Sequence, residues 1–167
     1  MLFRSVTLRP ATDDDVPALA AIRRTPEVQA WWRAGEDLDA KVSQELADPD
    51  SRTLAVEHEG RTIGAIQWWA EEDPEYRHAG MDIYLDPAVH GKGLGTDAVR
   101  ALAAHLVDVE GHHRLTIDPA ADNTAAIRSY IKAGFRPVGV MRRYERGADG
   151  TFHDGLLMDL LAEELVR

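Results

Sequence analysis

Apolar residues recur along this chain in two rhythms, every second position or every third to fourth, and the switches between them mark out its elements. Val6-Thr7-Leu8-Arg9 alternates as a short strand that Pro10 breaks. Thr12 and the three aspartates after it predict a helix start, since such side chains accept from the free N–H groups of a first turn. Val16, Leu19, Ala20 and Ile22 then follow at helical spacing toward Arg24. Asp37 to Ala47 carries Leu38, Val42 and Leu46 four residues apart, a second helix with a polar far face. Thr53 to Glu57 and Thr62 to Trp69 predict a strand hairpin turning at Glu59-Gly60-Arg61. An acidic loop, Glu71 to Glu75, separates it from a short strand, Met81 to Leu85, that ends at Pro87.

A third helix is expected from Leu94 to about Val107, followed by a strand at Arg114 to Ile117. Asp122 or Asn123 caps a fourth helix that carries Ala126, Ile127, Tyr130 and Ile131 and stops at Gly134. Phe135 to Tyr144 and Phe152 to Leu161 complete the pattern as two strands around Ala148-Asp149-Gly150. Strands come first and then alternate with helices, which predicts an α/β fold, a mixed central sheet of about seven strands flanked by about four helices.

Composition narrows the function. The 167 residues fit one domain, 1–167, with no repeat, linker or low-complexity tract. A chain of this length buries roughly 70% of the surface it exposes unfolded, enough for a full core. The absence of cysteine excludes disulfides, thiolate metal sites and a cysteine nucleophile. A net charge of −10 argues against nucleic acid as partner and suits a cationic one, although plain solubility by itself accounts for it more simply. No apolar run approaches the roughly 18 residues of a membrane span, and Met1 to Pro10 lacks a leader pattern, so no membrane and a cytoplasmic location are expected.

The candidate chemistry begins at His90-Gly91-Lys92-Gly93-Leu94-Gly95-Thr96, where three alternate glycines follow a strand and open a helix. Glycine permits φ > 0 and close backbone approach, and a helix start aims free N–H groups and a positive dipole end at an anion. The dinucleotide fingerprint needs glycine where Thr96 stands, and a P-loop needs Ser or Thr where Gly93 stands.

The order of strand, Pro87, glycine loop, helix, strand, Asn123 helix, Tyr130 and Gly134-Phe135 resembles the GCN5-related N-acetyltransferase (GNAT) superfamily, most densely from Asp82 to Phe135. Gly91 to Thr96, Val99-Arg100-Ala101-Leu102, Asp118-Pro119, Asn123, Ala126-Ile127-Arg128, Tyr130 and Lys132 to Phe135 look most like the aminoglycoside 6′-N-acetyltransferases, as do the pairs Trp31-Trp32 and Trp68-Trp69. The carboxyl end, Arg142 to Asp159, looks more like acetyltransferases of polyamines, amino acids or protein amino termini.

The resemblance implies the GNAT fold and acetyl-CoA as co-substrate, with its pyrophosphate on the backbone of Gly91, Lys92, Gly93, Leu94, Gly95 and Thr96. It also implies that the Leu85 N–H faces the thioester oxygen and that Asn123 holds the pantetheine arm. His90 departs from the arginine or glutamine usual in the family. Asp82 is a candidate base, or else an outward strand residue; Tyr130 is the candidate acid for the departing thiolate, or else a packed tyrosine. Asp118 either faces the amine or ends a turn. Trp31, Trp32 and one of Trp68 and Trp69 would wall the acceptor site, with Trp69 and Glu72 assigned to it.

The implied function is acetyl transfer to a cationic small-molecule amine, an aminoglycoside first. Another amine or a catalytically silent CoA-binding module are the alternatives. His112-His113 is expected as a solvated approach to a strand, and no metal is expected.

Overall fold

The computed structural model describes residues 5–33 and 35–167; Met1 to Arg4, part of the opening read above for a leader, lie outside the described residues. Seven strands form one sheet: β1 (Thr7–Pro10), β2 (Arg52–His58), β3 (Arg61–Glu71), β4 (His78–Leu85), β5 (Arg114–Ile117), β6 (Arg136–Arg146) and β7 (Phe152–Leu161), in the order β1-β2-β3-β4-β5-β7-β6. The β4–β5 pair is parallel and every other pair antiparallel, so the sheet is mixed as expected. The helices are α1 (Val16–Arg23), α2 (Pro26–Gln29), α3 (Leu38–Ala47), α4 (Leu94–Asp108) and α5 (Thr124–Ala133). At four residues α2 is too short for an apolar period to reveal it.

Several boundaries moved: β3 runs on to Glu71, the first residue of the expected acidic loop, and β6 to Arg146, and two further shifts have visible physical reasons. The acidic stretch after Thr12 is a separate 3-10 turn, Asp13–Asp15, preceding α1. There the Asp15 carboxylate accepts from the Thr12 amide at 2.8 Å and pairs with Arg9 at 2.7 Å. Strand β4 starts at His78 because its first residues are held by the longer β3, through Glu71 opposite His78.

Alternation along β3 and β4 sorts side chains between two cores. Ile66, Met81 and Leu85 face α4 and α5 in the larger cluster, with Leu102, Leu106 and Phe135. Ala65 and Tyr84, which pair across the ladder, face Leu19, Val28 and Val42 of α1 to α3. Period two puts Asp82 and Trp69 on that second face as well.

The feature that positions a site is a break in pairing. Strand β4 pairs with β5 only at Ala79 opposite Leu115 and Gly80 opposite Thr116. Beyond Gly80 the two strands part, leaving the second half of β4, Met81 to Leu85, without a neighbour on that side.

Candidate active site

The parted strands open onto a cleft of about 1240 Å³ that reaches from the start of α4 to the far end of β6. Backbone direction in β4 can be assigned from one bond: the Asp86 amide donates to the Ile63 carbonyl at 2.7 Å, toward β3. Peptide groups alternate sides along a strand, so the amides of Leu85 and Ile83 point away from β3 and into the gap. The Ile83 amide there donates to the Asp82 carboxylate at 2.9 Å. The Leu85 carbonyl accepts from His90 Nε2 at 3.0 Å, which ties the glycine loop to the strand end. His90 therefore does a structural job at the position where the family usually carries Arg or Gln.

Gly91 and Gly93 have φ of +76° and +79°, and a Cβ on either would meet nothing within 4 Å. It is conformation, not crowding, that calls for glycine at these two positions. Gly93 is the N-cap of α4, which leaves the first amides of the helix open toward the cleft. At Gly95 a Cβ would stand 3.4 Å from Leu85 Cδ1, so helix and strand meet closely there. Thr96 is buried and its hydroxyl lies 2.9 Å from that of Ser129, joining α4 to α5. Asn123 caps α5 by accepting from the Ala126 amide at 3.2 Å, which leaves its side-chain NH₂ to face a ligand.

Of the residues assigned to the cofactor, Leu85, Gly91, Gly93, Leu94, Gly95, Thr96, Asn123 and Tyr130 line the cleft, and Lys92 does not. Trp31, Trp32, Trp69, Asp82 and Asp118 line it as well, so the two halves of the expected site form one cavity. Glu72 is absent from the lining, and its exposed side chain lies 3.7 Å from Arg77. Of the second tryptophan pair it is Trp69 that faces the cleft, while Trp68 packs on the larger core edge-on to His112. His112 corrects an expectation: it is 2% exposed, with Trp68 edge-on to its ring and its amide donating to the Leu106 carbonyl of α4 at 2.9 Å, and its Nδ1 has no partner among the described residues.

The carboxylates here are unlike surface ones. Burial pushes Asp82 up to about 7, the Ile83 amide opposes this, and the charges of Asp118 and Glu145 add to it. Asp118 is raised by burial and pulled back by a hydrogen bond from the Tyr144 hydroxyl at 2.7 Å. Tyr130 is pushed far above its ordinary value by burial and by both aspartates, so it keeps its proton. No side-chain hydrogen bond to a described residue contributes to this shift.

Arg23, Tyr144 and Glu145 also line the cleft, and sequence reasoning missed all three. Arg23 is 1% exposed, sits 5.0 Å from the Trp32 ring and 5.2 Å from the Tyr84 ring, and pairs with Glu45 at 2.9 Å. It thereby holds Trp32 against Tyr84 at the edge of the cleft. Among the described residues no group of His, Asp and Glu is arranged to hold a metal ion, and no helix is long and apolar enough to cross a membrane.

Comparison with known proteins agrees with this geometry. A family model described as "Acetyltransferase (GNAT) domain" matches residues 5–136. The aminoglycoside N(6′)-acetyltransferase type 1 of Klebsiella pneumoniae is 34% identical over 161 residues, covering 82% of this chain and 77% of that protein. The N-alpha-acetyltransferase RimI of Mycobacterium tuberculosis is 31% identical over 135 residues, covering 78% of this chain and 83% of that protein. The structure of AAC(6′)-Ib in complex with paromomycin and acetyl-CoA superposes with a TM-score of 0.80 at 29% identity, covering 98% of each chain. Because the matched span takes in the glycine loop, the parted strands and the Asn123 helix together, the chain belongs to the GNAT acetyltransferase family and is an acetyl-CoA-dependent acyltransferase acting on an amine.

Proposed function

We propose that the protein transfers the acetyl group of acetyl-CoA directly to an amine of an aminoglycoside, the 6′-amino group by similarity to its relatives. The observation that carries this reading is the makeup of the acceptor end of the cleft. Asp82, Asp118 and Glu145 supply negative charge there, and Trp31, Trp32 and Trp69 supply flat walls. Flat aromatic faces and several carboxylates in one pocket suit a rigid, polycationic sugar better than a flexible peptide. The acidic runs Glu36 to Asp39 and Glu71 to Glu75 stand outside the lining of this pocket. Asp37 caps α3, and Asp39 pairs with Arg24.

In this reading the acyl donor lies along the free edge of β4, and it supplies the thioester carbonyl. The Leu85 amide points into the gap where that oxygen would lie, and a donor aimed at developing negative charge lowers the barrier. Asp82, with its carboxyl near 7, takes the proton from the acceptor's ammonium directly or through water and frees the nitrogen lone pair. Attack forms the C–N bond, and collapse of the adduct breaks the C–S bond; Tyr130 hydrogen-bonds and protonates the departing thiolate, and the second proton that the nitrogen sheds as it becomes an amide passes through water to restore the Tyr130 hydroxyl. Its raised pKa keeps the hydroxyl protonated, ready to donate to the sulfur as negative charge develops there.

A panel of amines assayed for CoA release tests the acceptor. Kanamycin and tobramycin should exceed spermidine, lysine and amino-terminal peptides in kcat/KM. Efficient turnover of a peptide or polyamine with no aminoglycoside acetylated would overturn the acceptor and leave the acyltransferase.

A further inference from the structure

Beyond the matched family span, the β6–β7 hairpin brings one side chain across the cleft. In β6 the register with β7 slips between Met141 and Glu145, and Arg143 sits inside the slip with φ of +48°. Three residues, Arg142 to Tyr144, thus stand opposite the single Asp154, and such an interruption re-aims the side chains within it. Asp154 holds it in place by accepting from the Arg143 amide at 2.8 Å. The next residue, Gly155, is bare where Tyr144 lies, since a Cβ there would stand 2.9 Å from Tyr144 Cδ1. The same stretch of β7 is bonded to the segment after β5, through Ala121 N to Asp154 O at 2.9 Å and Leu156 N to Pro119 O at 2.8 Å. Bulge, bare glycine and these two bonds converge on one contact, the Tyr144 hydroxyl donating to Asp118 Oδ2.

We propose that Tyr144 is a positioning residue for the acceptor: the bulge and Gly155 aim its hydroxyl at Asp118, which fixes that carboxylate as the anchor for a second ammonium group while Asp82 handles the reacting one. The proposal rests on the reading of the acceptor as a polycation. Four groups stand around Asp118: Asp82 on β4, Tyr130 on α5, and Tyr144 and Glu145 on β6. Among them Tyr144 alone lowers the Asp118 pKa, and in return Asp118 raises Tyr144 to about 12. The two carboxylates are held differently, Asp118 by the Tyr144 hydroxyl and Asp82 by the Ile83 amide, which suits them to different tasks.

Tyr144→Phe keeps the ring and removes the bond, and Gly155→Ala displaces the ring. Following the Asp118 carboxyl carbon by NMR across pH tests the contact without any acceptor. The titration midpoint should rise in both variants, and the double variant should rise no further than Tyr144→Phe alone, because the two changes break one contact. An unmoved midpoint in Tyr144→Phe overturns the latch.

Kinetics then test its use, with tobramycin and spermidine as polycations and glucosamine as a monoamine. Tyr144→Phe should raise KM for the polycations about tenfold, with kcat and the acetyl-CoA KM within about twofold and glucosamine little affected. Equal losses on polycation and monoamine, or a matching rise in the acetyl-CoA KM, would show a merely structural residue. If spermidine is a substrate and no aminoglycoside is, the proposed acceptor fails by itself, and the spermidine-to-glucosamine contrast still decides the anchor. If the wild-type protein acetylates none of these polycations, the second-ammonium anchor is refuted along with the polycationic acceptor.

Discussion

Trp69 lies across Gly80, its partner in the β3–β4 ladder, so closely that a Cβ at position 80 would stand 2.5 Å from the indole. The wall proposed for the acceptor thus depends on a missing side chain in the neighbouring strand. Gly80→Ala should drive the indole off its seat and raise acceptor KM, with acetyl-CoA binding little changed. Overpacking of this kind typically costs about 1–3 kcal/mol, which a thermal melt would show. Normal acceptor kinetics in the variant would mean that Trp69 is not a working wall.

Gly93→Val should abolish acetyl-CoA binding measured by calorimetry in the absence of acceptor. A β-branched side chain resists φ of +79°, and the N-cap it would distort sets the direction of the first α4 amides. Undiminished heat of binding would place the cofactor elsewhere.

Tyr130→Phe should lower turnover by about 10²–10⁴-fold, the usual worth of a positioned acid, while acetyl-CoA affinity stays near wild type. Single-turnover kinetics isolate the chemical step. If that step is unchanged, Tyr130 is a packing residue.

Asp82→Asn separates two pH effects. Burial raises this carboxyl from 3.8 to about 7 in the fold, so its contribution to stability is complete below 3.8 and is lost as pH rises through 7. Asparagine stays neutral throughout, so the variant's melting temperature should overtake the wild type's by a margin that widens between pH 4 and 7 and then levels. Activity should behave oppositely at first: wild-type kcat/KM for the amine climbs toward and past pH 7, and the variant loses that climb. Its deficit should ease at high pH, where the amine deprotonates unaided. A deficit of constant size across pH would assign Asp82 to binding alone.

What the sequence made legible was whatever repeats or stands alone as a signal. The helices α1, α3, α4 and α5 and the strand β5 announce themselves by period and cap, and the glycine loop by its composition. The unread parts depend on tertiary contacts. Arg23 looks like any charged residue late in a helix, and only Trp32, Tyr84 and Glu45 make it a buried one. Tyr144 lies within a register slip and Glu145 closes it, which interrupts the alternation that would have assigned them a face. His112 reads as half of a polar pair, whereas it is buried, with Trp68 edge-on to its ring and its amide bonded to α4. The parting of β4 from β5 has no local signature, since a strand does not record where its neighbour leaves it.

That parting has a mechanical consequence. With two residue pairs joining β1 to β4 on one side and β5 to β7 on the other, the sheet is two plates held at a narrow seam. Amides near such a seam exchange hydrogen through small openings, well below the free energy of global unfolding. A ligand arm lying in the gap and bonding to both plates acts as the strand that is missing, so its binding energy adds to the cohesion of the sheet. Slowed amide exchange at Ile83 and Leu85, spreading into β5 when acetyl-CoA is added, is the expected trace.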